Sequence, residues 1–391
     1  MNGEVRFSSF LMGGFEGSTH RRSDGRRLDL VASTRHDRFA RKDYRRLKDL
    51  GVRTVRESLR WHLIEPAPGQ CDFGFEAGRV IAAQEEGMQV IWDLAHFGWP
   101  DHVDVFSAEF PDAFARYARA AGDFLAMRAD GPLLIAPMNE ISFLSWAGGE
   151  HGLMNPHVVG RGAELKRQLV RASILAIDAV RGRHPDTRFV QPEPLVNIVT
   201  DPRRPHERSA AEEARNAQFE TWDMLAGRTA PELGGSSHHL DIVGVNYYPD
   251  NQWILGGGSL PADSPLRTEL SDMLHEVYAR YRRPLVITET GTEDGARPAW
   301  LRHVWTEVRR AATRGVPVGG ICLYPILNHP GWEDDRHCCN GVWDYPGPAG
   351  GRQAYGPMRR LILHLQESLS LDGGLLAPYR SVHEISDGGN A

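Results

Sequence analysis

Apolar residues recur along the chain in short runs, each closed by polar or small residues. Eight such runs stand out: FSSFLMGG (7–14), TVRESL (54–59), QVIWDL (89–94), LLIAPMNE (133–140), RFVQPEP (188–194), DIVGVNYY (241–248), PLVITETG (284–291) and GGICLYPIL (319–327). Runs of this length that are largely apolar on both sides read as parallel strands covered on both faces. Their starts lie 35 to 55 residues apart, room for a helix and two loops each time. The stretches between them carry a helical period instead. Phe39, Tyr44, Leu47 and Leu50 share one face of RFARKDYRRLKDLG (38–51), and Gly51 is the stop. Phe110, Phe114, Tyr117, Ala121 and Phe124 do the same before the fourth run, as do Leu165, Leu169, Ile174 and Ile177 before the fifth.

Eight strand–helix units without a second composition zone predict an α/β fold, a (β/α)8 barrel, over an open doubly wound sheet. Length alone suggests two or three domains for 391 residues, at roughly 150 each. The regular spacing reduces that to one: a decorated barrel over 1–370 and a Gly- and Ser-containing surface tail over 371–391. A barrel of this type needs about 250 residues. The surplus is expected in loops at 15–38, 141–162, 249–266 and 328–354, after the first, fourth, sixth and eighth strands.

Composition narrows the chemistry. A hydrophobic share of 41% and a charged share of 25% give a folded core, not disorder as the dominant state. The net charge of −6 lacks the basic footprint of a nucleic-acid binder. Of 45 basic residues only Lys42, Lys48 and Lys166 are lysines, and all three fall in expected helices. That removes barrel chemistries built on a strand-borne lysine, such as Schiff-base aldol cleavage. Four cysteines at 71, 322, 338 and 339 make neither a disulfide framework nor a zinc site. No apolar run is long enough to span a bilayer, and the first residues do not read as a secretory leader. The expectation is a soluble cytoplasmic protein with no metal, no cofactor and no membrane or nucleic-acid partner.

Reactive groups of such a barrel lie where its strands end. Those positions carry Glu16, Arg56 and Glu57, His96, Asn139 and Glu140, Glu193, Asn246, Tyr247 and Tyr248, and Glu289, with Tyr324, Trp332 and Glu333 at or beyond the eighth strand. Glu140 and Glu289 stand on opposite sides of the mouth. A carboxyl pair across a pocket is what glycoside hydrolysis requires: one protonates the departing oxygen, and the other attacks the anomeric carbon or activates water. Arg56, His96, Asn139 and Asn246 are candidates to bond sugar hydroxyls and to keep one carboxylate ionised. Trp99, Trp146, Trp253 and Trp332 offer flat faces for sugar rings. A rival is a metal-dependent barrel enzyme, in which Asp93, Glu140 and Glu193 would form a carboxylate trio. A sugar-binding barrel without catalysis and a transglycosidase use the same residues and remain open. Glu57 reads as structural, and Arg21, Arg22, Arg26 and Arg27 as a solvated face. His337, Cys338 and Cys339 read as a loop detail.

These residues resemble a known family. APMNE ending the fourth strand and VITETG ending the seventh are similar to the paired signatures of clan A retaining glycosidases. Within that clan the segments 38–69, LAHFGWPD (94–101) and DIVGVNYYP (241–249) resemble the family-1-type β-glycosidases, in the order a barrel demands. The resemblance implies a cofactor-free retaining β-glycosidase acting on a small β-glycoside, with Glu289 as nucleophile and Glu140 as acid/base. It further implies that Asn139 bonds the 2-hydroxyl of the reacting sugar, that Arg56 and Tyr248 lie against Glu289, and that His96 contacts the same sugar. Glu16 matches the family's strand-one polar ligand approximately, since that residue is usually glutamine. Two departures mark a divergent branch. Tyr324 stands where the family has tryptophan, and Gly331–Trp332 replaces its glutamate–tryptophan pair, with Glu333 as the nearest substitute carboxylate.

Overall fold

All eight apolar runs become parallel strands, and the strands close on themselves. The chain is described by a computed structural model covering residues 7–371. The strands are β1 (Leu11–Gly14), β2 (Thr54–Ser58), β3 (Gln89–Ala95), β4 (Leu134–Met138), β5 (Arg188–Pro194), β6 (Ile242–Asn246), β7 (Leu285–Thr290) and β8 (Val318–Leu323). Sequential neighbours pair all the way round, and β8 returns to β1 with Leu11 opposite Ile321. The helices α1 (His36–Lys48), α2 (Gly74–Glu85), α3 (Phe110–Ala126), α4 (Gly162–Arg181), α6 (Leu270–Tyr281), α7 (Arg297–Thr313) and α8 (Gly356–Leu371) alternate with the strands. The helix α5 is broken in two, Arg208–Asn216 and Glu220–Leu225. This is a (β/α)8 barrel. Of the tail expected over 371–391, Leu371 is the last residue of α8, and 372–391 lie outside the described residues. Among the described residues no helix is long and apolar enough to cross a membrane.

The strands have two burdens, and their alternation divides them. One parity packs inside the barrel, where Met12, Ile91, Leu134, Ala136, Val190, Ile242, Val286 and Cys322 form a single apolar cluster. The other parity meets the helices, with Leu11, Val55, Val243, Val245, Leu285 and Ile287 joining Tyr44, Leu47, Leu274 and Val304. Both parities are therefore apolar, which is why the runs read as unbroken in the sequence. The expected strands run past the true ladders at 139–140, 247–248 and 324–327. Those residues leave the sheet to enter the mouth loops, and Tyr324 lies one residue beyond β8, not within it. Gly14 makes room for it: a Cβ there would collide with the Tyr324 ring.

Phe39 departs from the expected stripe of α1. Its backbone is non-helical (φ −121°, ψ 15°), and its ring turns aside to lie against Gly350 in the loop after β8. Gly51 does end the segment, with φ +75° and Val52 N–H bonding back to Leu47.

On β2 the alternation separates two adjacent charges. Arg56 points into the barrel and Glu57 out beneath α1 and α2, so the two do not pair with each other. Glu57 accepts from His36 Nε2 (2.7 Å) and Tyr44 Oη (2.6 Å), and it pairs with Arg79, which also holds Glu76. Arg60 completes the group on Glu76 at 2.7 Å. His36 and Arg79 hold Glu57 down to about 2 against the effect of burial, so it stays ionised. Removing one member of a fully buried ion cluster leaves its partners charged and unpaired, at a cost of about 3–5 kcal/mol. Arg79→Met is expected to lose stability of that order in urea denaturation, whereas a loss below about 1 kcal/mol would show that Glu57 and Glu76 find other partners.

Candidate active site

Arg56 reaches the centre of the mouth from β2 and is 1% exposed. Nε and Nη2 grip both oxygens of Asp93 on β3, at 2.9 and 2.8 Å. Nη2 also donates to Asn139 Oδ1 (2.7 Å), and Nη1 to Glu289 Oε1 (2.6 Å) and the Thr288 carbonyl (3.3 Å). The guanidinium carbon lies 5.3 Å from the centre of the Tyr324 ring. One side chain thus ties β2, β3, β7 and the residue after β4 together through charge-assisted bonds.

The two glutamates have unequal surroundings. Glu289 on β7 accepts from Arg56 on one oxygen and from Tyr248 Oη on the other, at 2.8 Å. Glu140, directly after β4 and Asn139, accepts the Asn246 amide, Nδ2 to Oε1 at 2.9 Å. Asn246 is aimed by Thr288, whose hydroxyl donates to its Oδ1 at 2.7 Å. Burial pushes both carboxyls above their ordinary range; on Glu140 the charge of Glu289 adds to it, while on Glu289 Arg56 opposes it. The pair is thereby biased to hold one proton, on Glu140, and one charge, on Glu289. Burial and the Glu289 charge also keep the Tyr248 phenol protonated, which suits a donor.

Around this pair the other expected residues gather unevenly. Asn139 Oδ1 takes the Arg56 bond, so its Nδ2 faces His96 Nε2 at 3.1 Å, and His96 Nδ1 meets Asp93 at 2.9 Å. Glu16 follows β1 and is folded back on Ser18, whose backbone N–H and hydroxyl it accepts at 2.9 and 2.6 Å. It lies 3.7 Å from His96 Nε2. Tyr324 stacks parallel to His96 with ring centres 5.9 Å apart. Trp332 joins an aromatic rim with Phe97 and Phe143, and Trp146 continues it outwards, half exposed.

Glu333 does not join the pair. Its carboxylate, 43% exposed, is bonded to Ser23 Oγ at 2.9 Å on the rim. Of the arginines of the loop after β1, Arg26 and Arg21 do face solvent in good part, whereas Arg22 and Arg27 do not. Arg22 is buried and binds Asp335 and the Glu333 carbonyl, Arg21 and Arg27 both bind Asp101, and Arg26 binds Asp24. Acidic groups across the mouth neutralise them and join three loops. Trp99 is buried beside Arg21, Arg27 and Asp101, and Trp253 stands in the short strand Gln252–Ile254 that pairs with Asn197–Val199.

Of the carboxylate trio considered for a metal, Asp93 is taken by Arg56 and His96 and Glu193 by backbone amides. Among the described residues no group of three His, Cys, Asp or Glu side chains is placed to hold a metal ion. Sequence reasoning weighs one part of the site only as a metal ligand and misses another. Asp93 orients both Arg56 and His96; its signal is an acidic side chain at an inward position of β3, three residues before the histidine. His20, four residues after Glu16, is fully buried against Trp332, and among the described residues neither ring nitrogen has a hydrogen-bond partner.

No family model matches the chain, and no curated protein sequence matches it. Solved structures do. A β-glucosidase from Thermotoga maritima in complex with glucoimidazole superposes with a TM-score of 0.76 at 17% identity, covering 91% of this chain and 98% of that one. The complex of the Thermotoga maritima β-glucosidase with deoxynojirimycin gives 0.74 at 17%, covering 93% and 99%. A hyperthermophilic β-glucosidase mutant that is dodecameric in the crystal gives 0.73 at 15%, covering 92% and 100%. At these identities the likeness is one of fold.

Burial leaves two histidines of this region hard to charge: His20 is pushed down to about 4 and His62 to about 3, from 6.5. The unfolded chain takes up those protons first, so stability is expected to fall as the pH drops from about 6.5 towards 4. Urea denaturation at about pH 7 and about pH 5 checks this. His20→Gln with His62→Gln should flatten the difference, and an unchanged slope would place the acid sensitivity elsewhere.

Proposed function

We propose that this chain is a retaining β-glycosidase that hydrolyses a small β-glycoside. One observation carries the reading: two carboxyls, Glu289 buried and Glu140 partly exposed, share the mouth, and Glu289 alone is bound by a guanidinium and a phenol. That inequality is what a double displacement needs from two chemically identical groups. Likeness of fold to β-glucosidases, among them one complexed with glucoimidazole, supports a carbohydrate substrate.

In the first step a Glu289 oxygen attacks the anomeric carbon. The bond to the aglycone oxygen breaks, and the Glu140 proton passes to that oxygen as it leaves. Arg56 and Tyr248 keep Glu289 charged and oriented. In the second step Glu140, now ionised, takes a proton from water. The water oxygen bonds to the anomeric carbon, the ester to Glu289 breaks, and Glu140 is again protonated. Asn139 and Asn246 sit between the two carboxyls, where a sugar hydroxyl can replace their mutual bond at 3.3 Å. His96, Glu16, Tyr324 and Trp332 would form the wall against which the sugar lies, with Glu333 at its outer edge. No cofactor enters either step.

A panel of aryl β-glycosides with a 2-deoxy-2-fluoro glycoside tests the roles. Turnover is expected, with the β-anomer as the first product by NMR and the fluoro sugar attached to Glu289. An α-anomer, or a label on another residue, would overturn the mechanism; no turnover of any glycoside would favour a sugar-binding barrel. Loss of the acid in Glu140→Gln should cost about 10²–10⁴-fold on substrates with poor leaving groups. Because Glu140 holds its proton above the ordinary carboxylate range, activity should persist to higher pH than a free carboxylic acid would allow. An alkaline limb at the ordinary glutamate value would contradict that assignment.

A further inference from the structure

Glu193 is the penultimate residue of β5, is fully buried, and has no part in the displacement described above. Its Oε1 accepts the backbone N–H of Ile141 at 2.8 Å, and its Oε2 that of Ser142 at 2.9 Å. Gln191 Nε2 adds a third bond to Oε1 at 3.1 Å. The residue before these two amides is Glu140.

Glu140 itself adopts φ 44° and ψ 60°, a left-handed conformation rare for a residue with a side chain. Such strain persists only where the surroundings over-determine it. Here a single strand end does so. The Pro192 carbonyl takes the Glu140 N–H at 3.1 Å, and the Glu193 carboxylate takes the next two amides. Leu144 N–H closes the turn on the Glu140 carbonyl at 2.9 Å, and Ser142 Oγ is tied to Thr221 Oγ1 at 2.9 Å. A carboxylate suits this grip better than a carboxamide, because it offers an acceptor oxygen to each N–H whereas glutamine would turn an NH₂ towards one of them.

We propose that Glu193 is a positioning residue, whose two oxygens hold the amides of Ile141 and Ser142 and thereby fix the left-handed backbone that delivers the Glu140 carboxyl to the mouth. The inference rests on Glu140 being the acid/base. It also carries a pH dependence. Glu140 faces Glu289, Asn246, Arg56 and Glu193. Glu193 faces Glu140 and Lys166 of α4, whose ammonium is bonded to Glu220 at 2.5 Å. Burial pushes Glu193 up to about 7 against the two amides. As the pH rises through that value, the charge that appears on Glu193 makes the Glu140 proton harder to remove. Taking the charge away therefore lets Glu140 lose its proton at lower pH.

The test compares the unaltered protein, Glu193→Gln and Glu193→Ala on two β-glycosides of one sugar, phenyl and 2,4-dinitrophenyl. The phenyl leaving group needs the proton of Glu140; dinitrophenolate leaves without it. Glu193→Gln is expected to lower kcat/KM about tenfold on the phenyl glycoside, with a change within about twofold on the dinitrophenyl one. Glu193→Ala should lower the phenyl rate further, and both should move the alkaline limb to lower pH. The ratio of the two substrates in one preparation is independent of how much protein is folded. Equal losses on both substrates with an unmoved limb, or no loss on either, would overturn the inference while leaving the glycosidase reading intact. No turnover by the unaltered protein would overturn both.

Discussion

The guanidinium of Arg56 is the interaction on which the mouth of this barrel depends. All five of its N–H donors are directed, to Asp93, Asn139, Glu289 and the Thr288 carbonyl. A planar fork of fixed geometry makes those bonds together only if β2, β3, β7 and the end of β4 stand at set distances. The same contacts supply the electrostatics: Arg56 opposes the burial that pushes Glu289 towards its neutral form, and it turns Asn139 so that its amide faces His96. A lysine could carry the charge but not the fork.

Behind Arg56 a second buried set of charges occupies the outer face of the same strand, from Glu57 through His36 and Arg79 to Glu76 and Arg60. Desolvating this many ions is costly, and replacing such sets with apolar residues is often neutral or stabilising. The arrangement links α1 and α2 to β2, the strand that carries Arg56. The loop after β1 is held in a comparable way. Arg21, Arg22 and Arg27 reach acidic residues after β3 and β8, so the rim that carries Trp332 and Phe97 is fixed by ion pairs across the mouth.

The two glutamates show how one residue type is given two unequal surroundings. Glu289 is buried and Glu140 partly exposed, and both are pushed up. The difference lies in what each accepts, a cation and a phenol on Glu289 against a carboxamide on Glu140. Strand β5 adds a further asymmetry, because its end grips the two amides that follow Glu140.

The strand count, the closed barrel and the candidate carboxyl pair are legible in the chain alone. Eight apolar runs at regular spacing admit few other closures, and Glu140 and Glu289 stand out because they end two of those runs. Lysine scarcity removes the amine-based chemistries on equally local grounds. What stays illegible lies beyond the nearest neighbours in the chain. Asp93 reads as a metal ligand until Arg56 is seen across the sheet, Arg22 reads as solvated until Asp335 closes over it, and Tyr324 reads as a strand residue until the ladder stops at Leu323. Glu333 stands in sequence as the substitute for a missing sugar ligand, yet it is bonded to Ser23 on the rim. Such partners are settled by the fold, because a buried charge is defined by what lies opposite it, and 233 residues separate Arg56 from Glu289.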